Sequence, residues 1–176
     1  MSGPGSLDWR PVSDDLVATP VSSALAGWSR AADVLVAPID PDLADTAAFC
    51  ERYGVVLEES ANCVVIAGRR GSAVSYAACV VLATTRADVN GVVRRRLGAK
   101  KASFAAMEDA VSLSAMEYGG ITPIGLPADW PILIDRAVLE RDVVVIGSGL
   151  RSSKLALPSS ALAELGNAEV IHELAG

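Results

Sequence analysis

Short apolar runs bounded by Gly, Arg or Ser recur along the chain, and their spacing predicts both helices and strands. Val21, Leu25 and Trp28 recur at the spacing of one helical face, which predicts a first helix over residues 20–32. The next segment, residues 33–39, is apolar and β-branched at several positions, so we expect a buried strand there.

A second helix and a hairpin are predicted next. Asp40 suits an N-cap, Pro41 suits the first helical position, and Gly54 stands where a glycine commonly ends a helix. Between residues 62 and 83, two β-rich runs are separated by the glycine-containing segment 68–72. That pattern is typical of a β-hairpin.

The remainder of the chain alternates between short helices and short strands. Helices are predicted at 88–97, at 107–116 and from Pro158 to before Gly166, and strands at 101–104, 132–135, 143–146, 154–157 and 169–171. Because strict βαβ alternation is absent, we expect an α+β fold: a single domain with a mixed, mostly antiparallel sheet or partial barrel flanked by helices. Residues 1–15 are polar and rich in Gly and Ser, which predicts a flexible or loosely packed lead-in to one domain over residues 16–176.

The formal net charge of −6 hides an uneven distribution along the chain. Residues 1–68 carry three basic and ten acidic residues, residues 69–101 carry eight and one, and residues 102–176 carry four and ten. A basic block of this kind is typical of a surface that binds phosphates. It is equally typical of a solvated face whose charges pair with acidic segments after folding, and the sequence leaves both interpretations open.

Three cysteines, Cys50, Cys63 and Cys79, and one histidine, His172, lack the spacing of a metal site or a disulfide framework. We therefore expect reduced, buried thiols, no metal site and no cofactor. No apolar run approaches the roughly 20 residues that a membrane helix needs, and the N-terminus lacks the pattern of a secretory signal. We expect a cytoplasmic protein with no membrane partner.

Six short motifs follow one another from about Asp40 to the end of the chain. They are Tyr53-Gly54-Val55, Asn62-Cys63-Val64-Val65-Ile66, Leu97-Gly98-Ala99-Lys100-Lys101, the glycine/proline loop GGITPIG at 119–125, Leu133-Ile134-Asp135 and Ile146-Gly147-Ser148-Gly149. In order and spacing they resemble the YbaK/prolyl-tRNA-synthetase-associated family over roughly three quarters of the chain. The resemblance implies a free-standing editing domain, a hydrolase that acts in trans on the aminoacyl ester of mischarged tRNA.

The resemblance also implies a reaction and a set of site residues. In this family the glycine/proline loop lines the amino-acid pocket, and the reaction needs no metal and no protein nucleophile because the ribose hydroxyl of the substrate assists. Such a site must orient a water and stabilise the developing oxyanion. The catalytic residues expected on this basis are Asn62, Gly120 and Asp135. The substrate-binding residues expected are Gly119, Ile121, Thr122, Pro123, Gly147, Ser148, Gly149 and Lys154. The expected tRNA-binding residues are Arg69, Arg70, Arg94, Arg95 and Arg96. The implied partners are the aminoacylated acceptor end of tRNA and an aminoacyl-tRNA synthetase.

Several of these residues also have purely structural explanations. Gly119 and Gly120 could supply positive φ angles in a turn, and residues 147–149 could form a plain turn after a strand. Asp135 ends an apolar strand, where its carboxylate could satisfy nearby backbone donors. Lys154 could be a surface lysine with a partly buried stem rather than a contact to the tRNA backbone.

One position departs from the family pattern. Family members usually carry a lysine at the start of the first hairpin strand, within a pattern like A-K-[ST]-hydrophobic, and that lysine is tied to substrate binding and activity. The corresponding residues here are Ala61-Asn62-Cys63-Val64, so a neutral amide stands in its place. Two hypotheses follow: an enzyme subgroup with a different substrate, or a noncatalytic relative that binds aminoacyl-tRNA or a nucleotide. A protein-interaction module is a third.

Overall fold

The computed structural model describes residues 3–176, and Met1 and Ser2 lie outside the described part. Within that range the chain forms nine strands: β1 (Arg10–Pro11), β2 (Leu35–Pro38), β3 (Ala61–Arg70), β4 (Ala73–Leu82), β5 (Lys101–Phe104), β6 (Ile132–Asp135), β7 (Val143–Gly147), β8 (Ser153–Pro158) and β9 (Ala168–Ile171). The same residues form six α-helices: α1 (Thr19–Ala26), α2 (Thr46–Tyr53), α3 (Arg94–Arg96), α4 (Met107–Ser114), α5 (Arg136–Leu139) and α6 (Ser159–Leu162). The expected α+β fold with mostly antiparallel strand pairing is confirmed.

The strands form two sheets rather than one. The first sheet has the order β1-β2-β8-β7 and is antiparallel throughout. The second has the order β5-β3-β4-β6-β9, in which β6 runs parallel to both of its neighbours. An isolated parallel bridge between Ser60 and Val145 connects the two sheets beside the start of β3. The start of β3 therefore lies at the junction of the sheets.

The β3-β4 hairpin is the longest element and carries the centre of the second sheet. Its ten register pairs run from Ala61 opposite Leu82 to Arg70 opposite Ala73. The strands continue further than the sequence predicts, because the connection shortens to Gly71 and Ser72. Gly71 has a φ of 61°, which a two-residue hairpin turn requires and a glycine adopts without strain.

One predicted helix begins later than expected, and another is partly π-helical. The Asp40 side chain caps only a 3-10 turn, by accepting a hydrogen bond from the Asp42 amide at 2.9 Å, and α2 begins at Thr46. Gly54 ends α2 with a φ of 70°, as predicted. The helix predicted over residues 88–97 consists of a π-helical turn, Val89–Val93, followed by α3.

The lead-in is attached to the first sheet by Trp9. The side chain of Trp9 is only 6% exposed, and its indole N–H donates a hydrogen bond to the Pro4 carbonyl at 2.9 Å. Strand β1 then pairs with β2. Burial of a large aromatic side chain gives this part of the chain an anchor that its polar composition does not indicate.

Candidate functional site

A cavity of about 280 Å³ opens at the junction of the two sheets. Its walls come from the start of β3, from Gly147 and Lys154 on β7 and β8, and from three loops that precede α2, follow β5 and follow α4. Most of the lining side chains are small or apolar. Of the described residues that line this cavity, the charged ones are Asp45 and Lys154. The cavity therefore combines an apolar wall with few polar groups, as small-molecule sites commonly do.

Asn62 stands at the start of β3 and lines the cavity. Its amide oxygen accepts a hydrogen bond from the Thr46 hydroxyl at 2.6 Å, and Thr46 is the first residue of α2. The helix start thus holds one end of the Asn62 side chain. Because the hydroxyl occupies the amide oxygen, the NH₂ group is the end of Asn62 that can donate to a ligand.

Lys154 brings a buried positive charge to the same cavity. It is only 8% exposed, and it lies on β8, which is paired on both sides, with Ala37 and Gly147 opposite Lys154. The ammonium donates a hydrogen bond to the Ala44 carbonyl at 3.0 Å and lies 5.2 Å from the centre of the Phe49 ring. These contacts compensate only part of the lost hydration, a cost that grows with burial.

Burial lowers the pKa of Lys154 from 10.5 to about 8, and the nearby Arg151 acts in the same direction. The neighbouring Cys50 and Asp45 act against this fall. With a pKa of about 8, the amine is mostly protonated at neutral pH and can lose its proton under mildly alkaline conditions. The interpretation of Lys154 as a surface lysine does not fit this placement.

The two glycine segments predicted for the site pack against each other. The Gly149 amide donates a hydrogen bond to the Gly120 carbonyl at 2.7 Å. A side chain at Gly147 would place its Cβ 2.5 Å from the Gly120 carbonyl oxygen, and one at Gly120 would meet the Leu150 backbone at 2.6 Å. Glycine is needed here because the two backbones approach each other directly. Gly119 and Gly147 line the cavity. Gly120 is not part of the lining, and its amide donates a hydrogen bond to the Glu117 carbonyl at 2.9 Å.

The other loop residues predicted to bind substrate divide between the cavity and the interior. Ile121 lines the cavity. Thr122 is buried outside it, and Pro123 lines a separate cleft beside Trp28. The Ser148 hydroxyl bonds the carbonyls of Leu150 and Ser153, and Gly149 is buried. Four of the eight residues predicted to bind substrate therefore line the cavity: Gly119, Ile121, Gly147 and Lys154.

Asp135 does not line the cavity. Its side chain is 3% exposed at the end of β6, and a carboxylate oxygen accepts a hydrogen bond from the Leu174 amide at 3.2 Å. Burial raises the pKa of this carboxyl, and the amides of Leu174, Ala175 and Arg136 oppose the rise. The geometry therefore favours the structural interpretation, in which Asp135 satisfies backbone donors near the C-terminus.

The predicted tRNA-binding arginines separate into different environments. Arg69 and Arg94 line one groove together with Lys100 and Lys101, outside the main cavity. Arg96 instead forms an ion pair with Glu169, in which its Nε donates to the carboxylate at 2.7 Å. This ion pair fits the second interpretation of the basic block, in which its charges pair with acidic segments after folding.

The other two arginines of the set lie apart from that groove lining. Arg70 donates from its Nε to the Gly98 carbonyl at 2.7 Å, and Arg95 is exposed on α3.

Sequence reasoning missed several residues of the cavity. The sequence pattern predicts a continuous helix around Asp45 and Thr46, and so does not indicate their position at a helix start. Phe104 and Tyr118 are exposed aromatic residues on the rim, and nothing in their sequence context separates them from core residues. The sequence predicts a buried and inert Cys63. It is half-buried in the lining, and burial raises the pKa of its thiol well above the ordinary value.

Comparisons with known proteins agree with this architecture. A family model described as the aminoacyl-tRNA editing domain matches residues 40–165. A search among curated protein sequences gives no match. Among solved structures, the hypothetical protein APE2540 aligns with a TM-score of 0.76 at 20% identity, covering 89% of this chain and 99% of its own. One described as "a putative trans-editing enzyme for prolyl tRNA synthetase" aligns with a TM-score of 0.75 at 19% identity, covering 92% and 97%. At these identities the structural likenesses establish a shared fold.

Proposed function

The chain belongs to the aminoacyl-tRNA editing domain family, and on that premise we propose that it removes amino acids from mischarged tRNA by hydrolysing their ester bond. The observation that supports this most strongly is that Asn62 and Lys154 both line one cavity. The family lysine at the position of Asn62 is absent, yet the cavity retains a buried ammonium that arrives from β8 instead. We therefore assign to Lys154 the charge that the family pattern places on β3.

In the proposed reaction, a water adds to the ester carbonyl carbon and negative charge develops on the carbonyl oxygen. The Lys154 ammonium and the Asn62 NH₂ group are the cavity's candidate donors to that oxygen, and a preorganised donor of this kind is worth about 10²–10³ in rate. The bond between the carbonyl carbon and the ribose oxygen then breaks. The proton lost by the water goes to the ribose oxygen, which leaves a free amino acid and uncharged tRNA.

Two other polar groups of the lining have a place in this scheme. Asp45 is an exposed carboxylate at the N-terminal end of α2, and it can accept the positively charged α-ammonium of the aminoacyl group. Cys63 is a poor nucleophile, because burial raises the pKa of its thiol and so suppresses the reactive thiolate. A direct attack by water accordingly fits the lining better than a covalent intermediate.

The apolar wall favours a small amino acid. The side chains that form it include Ala61, Cys63, Val65, Ala105 and Ala110. The aminoacyl group and the attacking water share a cavity of about 280 Å³, which favours a smaller side chain, and the apolar wall offers a charged side chain no partner beyond Asp45 and Lys154. We expect the preferred substrates to carry small, uncharged side chains.

A noncatalytic aminoacyl-tRNA binder is the second candidate function. It is favoured by Asn62, which stands where the family has its lysine, and by the Gly120 amide, whose hydrogen bond to the Glu117 carbonyl prevents it from donating to an oxyanion. A binder would retain affinity for aminoacylated tRNA without turnover.

The test is a deacylation screen of the purified protein against tRNAs charged with small, large and charged amino acids. We expect release of small amino acids well above the spontaneous rate, strongly reduced release in Lys154→Met, and little change in the control Arg136→Met, whose side chain is exposed on α5. Binding of every charged tRNA without release of any would support the noncatalytic binder and overturn the proposal.

A further inference from the structure

Arg151 connects two of the loops that surround the cavity. It lies in the turn between β7 and β8, is half-buried, and is not itself one of the lining residues. Its guanidinium donates hydrogen bonds to two backbone carbonyls, from Nη1 to Tyr118 at 3.2 Å and from Nη2 to Pro41 at 3.0 Å. Tyr118 follows α4 and Pro41 precedes α2, so one side chain joins segments that are far apart in the sequence.

Both connected loops carry parts of the cavity wall. Asp45 and Thr46 belong to the first loop and to the start of α2, and Tyr118 and Gly119 belong to the second loop. In the proposed reaction Asp45 accepts the α-ammonium of the aminoacyl group, and Thr46 holds Asn62. The placement of the loop before α2 against the loop after α4 therefore sets the shape of the site in which the aminoacyl group is held.

The backbone of the turn fixes the point from which the guanidinium reaches out. The Arg151 amide donates a hydrogen bond to a carboxylate oxygen of Glu117 at 2.7 Å, and the Glu117 amide donates to the Gly149 carbonyl at 2.9 Å. On the other side, the Ile39 amide donates to the Ser152 carbonyl at 2.9 Å. The turn is thus bonded to both loops, and the guanidinium extends these contacts to the residues next to the cavity.

Gly119 leaves room for the guanidinium. Its φ is 90°, and a Cβ at this position would overlap with Nη1 of Arg151. Glycine adopts this backbone angle without strain and lets the guanidinium lie directly against the loop. This contact gives Gly119 a second reason to be glycine, besides its place in the cavity wall.

The positive charge of Arg151 is not neutralised by an ion pair. Both acceptors of its guanidinium are uncharged carbonyls, and within residues 3–176 no carboxylate forms an ion pair with it. Burial lowers the pKa of Lys154 most and Arg151 lowers it further, whereas Cys50 in α2 and Asp45 beside that helix raise it. Arg151 therefore acts on the cavity through its charge as well as through its hydrogen bonds.

Resting on the proposed function, we propose that Arg151 is a positioning residue for ester hydrolysis, which holds the loop of Asp45 and the loop of Gly119 in the arrangement that the reaction requires. It touches neither the ester nor the attacking water. A planar guanidinium presents several donors in a fixed geometry and so reaches two carbonyls at once, which the compact ammonium of a lysine does not do. Displacing a reacting group by about 1 Å costs about 10²-fold in rate, so release of one loop is enough to slow the reaction.

The test separates the hydrogen bonds of Arg151 from its charge. Arg151→Lys keeps the charge and loses the connection, Arg151→Met loses both, and the control is Arg136→Met, at an exposed position on α5. The rate of amino-acid release at saturating protein, from a tRNA charged with a small amino acid, should fall by about 10²-fold in both Arg151 variants. The protein concentration for half-saturation should change much less, because Arg151 does not line the cavity, and the control should match the wild type. A wild-type rate in Arg151→Lys would overturn the proposal.

The pH dependence gives a readout that a loss of stability would not move. With a pKa of about 8, Lys154 loses its proton above that pH, so release by the wild type, corrected for spontaneous hydrolysis, should decline there. Arg151→Met removes a neighbouring positive charge and so raises the pKa of Lys154, which moves the decline to higher pH. Arg151→Lys should decline near the wild-type pH, because the charge remains. A decline at the same pH in all three proteins would overturn the proposal, since the guanidinium would not be held beside Lys154.

The same pKa is measurable without turnover. The chain contains three lysines, Lys100, Lys101 and Lys154, so a protein labelled with carbon-13 at lysine Cε gives one signal for each. Loss of a signal in Lys154→Met identifies the signal of Lys154. Its titration, followed by NMR, should show a higher pKa in Arg151→Met and no change in the control Arg136→Met.

Failure of this proposal and failure of the proposed function are distinguishable. A wild type that releases amino acids at a rate that Arg151→Lys equals would overturn the positioning role and leave the hydrolase intact. A wild type that releases no amino acid from any charged tRNA would overturn the proposed function and, with it, the role of Arg151 in the reaction. The NMR titration would then still decide whether the guanidinium lies beside Lys154.

Discussion

Replacing Lys154 with Met should make the protein more stable and less active. The fall in the pKa of Lys154 from 10.5 to about 8 corresponds to about 3 kcal/mol of unfavourable free energy for the charged amine in the folded state. Met has a similar length and no charge, so the substitution removes this cost. Loss of the hydrogen bond to the Ala44 carbonyl offsets part of the gain, by about 1 kcal/mol.

The effect should depend on pH in a defined direction. Below about pH 8 the amine is protonated in both folded and unfolded chains, and the cost of its burial is present in full. Between about pH 8 and 10.5 the unfolded chain binds more protons than the folded one, so the stability of the wild type rises with pH. The advantage of Lys154→Met should therefore shrink through that window.

Urea unfolding at pH 7 and pH 9.5 measures both quantities. We expect Lys154→Met to unfold at a higher urea concentration than the wild type at pH 7, and the gap to narrow at pH 9.5. The control Lys101→Met, at an exposed position on β5, should be nearly neutral at both pH values. A Lys154→Met variant that is less stable than the wild type at pH 7, by an amount independent of pH, would refute the reasoning, since Lys154 would then serve the fold.

Three further predictions follow from the cavity. Asn62→Ala should lower kcat/KM by about one to three orders of magnitude. Asn62→Lys should also impair the native reaction, because a second ammonium would enter the cavity beside Lys154. A kinetic comparison with the wild type checks both, and turnover gained with Asn62→Lys would contradict them. Alkylation of the native protein at neutral pH should leave activity largely intact, because burial raises the pKa of the Cys63 and Cys79 thiols; stoichiometric labelling of Cys63 with complete inactivation would count against this. Gly147→Ala should destabilise the fold by about 1–3 kcal/mol through its contact with the Gly120 carbonyl, whereas Gly166→Ala, with open space around it, should not; thermal unfolding decides.

The strands were largely predictable, because their apolar β-branched runs and glycine boundaries are local signals. The segments 101–104 and 132–135 match β5 and β6 residue for residue. The division into two sheets was not predictable, since it depends on β8 pairing with β2, two segments that are far apart in the sequence, with Leu35 opposite Ala156. The start of α2 was misplaced because Asp40-Pro41 has the same capping pattern in a 3-10 turn as in an α-helix.

The candidate site was predictable only in part, because local sequence patterns indicate its loops but not the contacts that tertiary packing creates. Motif order indicates which loops matter, so Asn62, Gly119, Ile121 and Gly147 do meet in the cavity. The burial of Lys154 and the ion pair of Arg96 with Glu169 are products of tertiary packing, and no local pattern carries them. Asp135 has the expected burial, but its hydrogen-bond partner lies 39 positions away at Leu174.

The central claim is that the cavity containing Asn62 and Lys154 hydrolyses an aminoacyl ester. The most direct measurement is the single-turnover rate of amino-acid release from a tRNA mischarged with a small amino acid, with the protein in saturating excess. We predict release far faster than spontaneous hydrolysis in the wild type and about 10²- to 10³-fold slower release in Lys154→Met. Equal rates in the two proteins, or no acceleration by the wild type on a tRNA that it demonstrably binds, would contradict this claim.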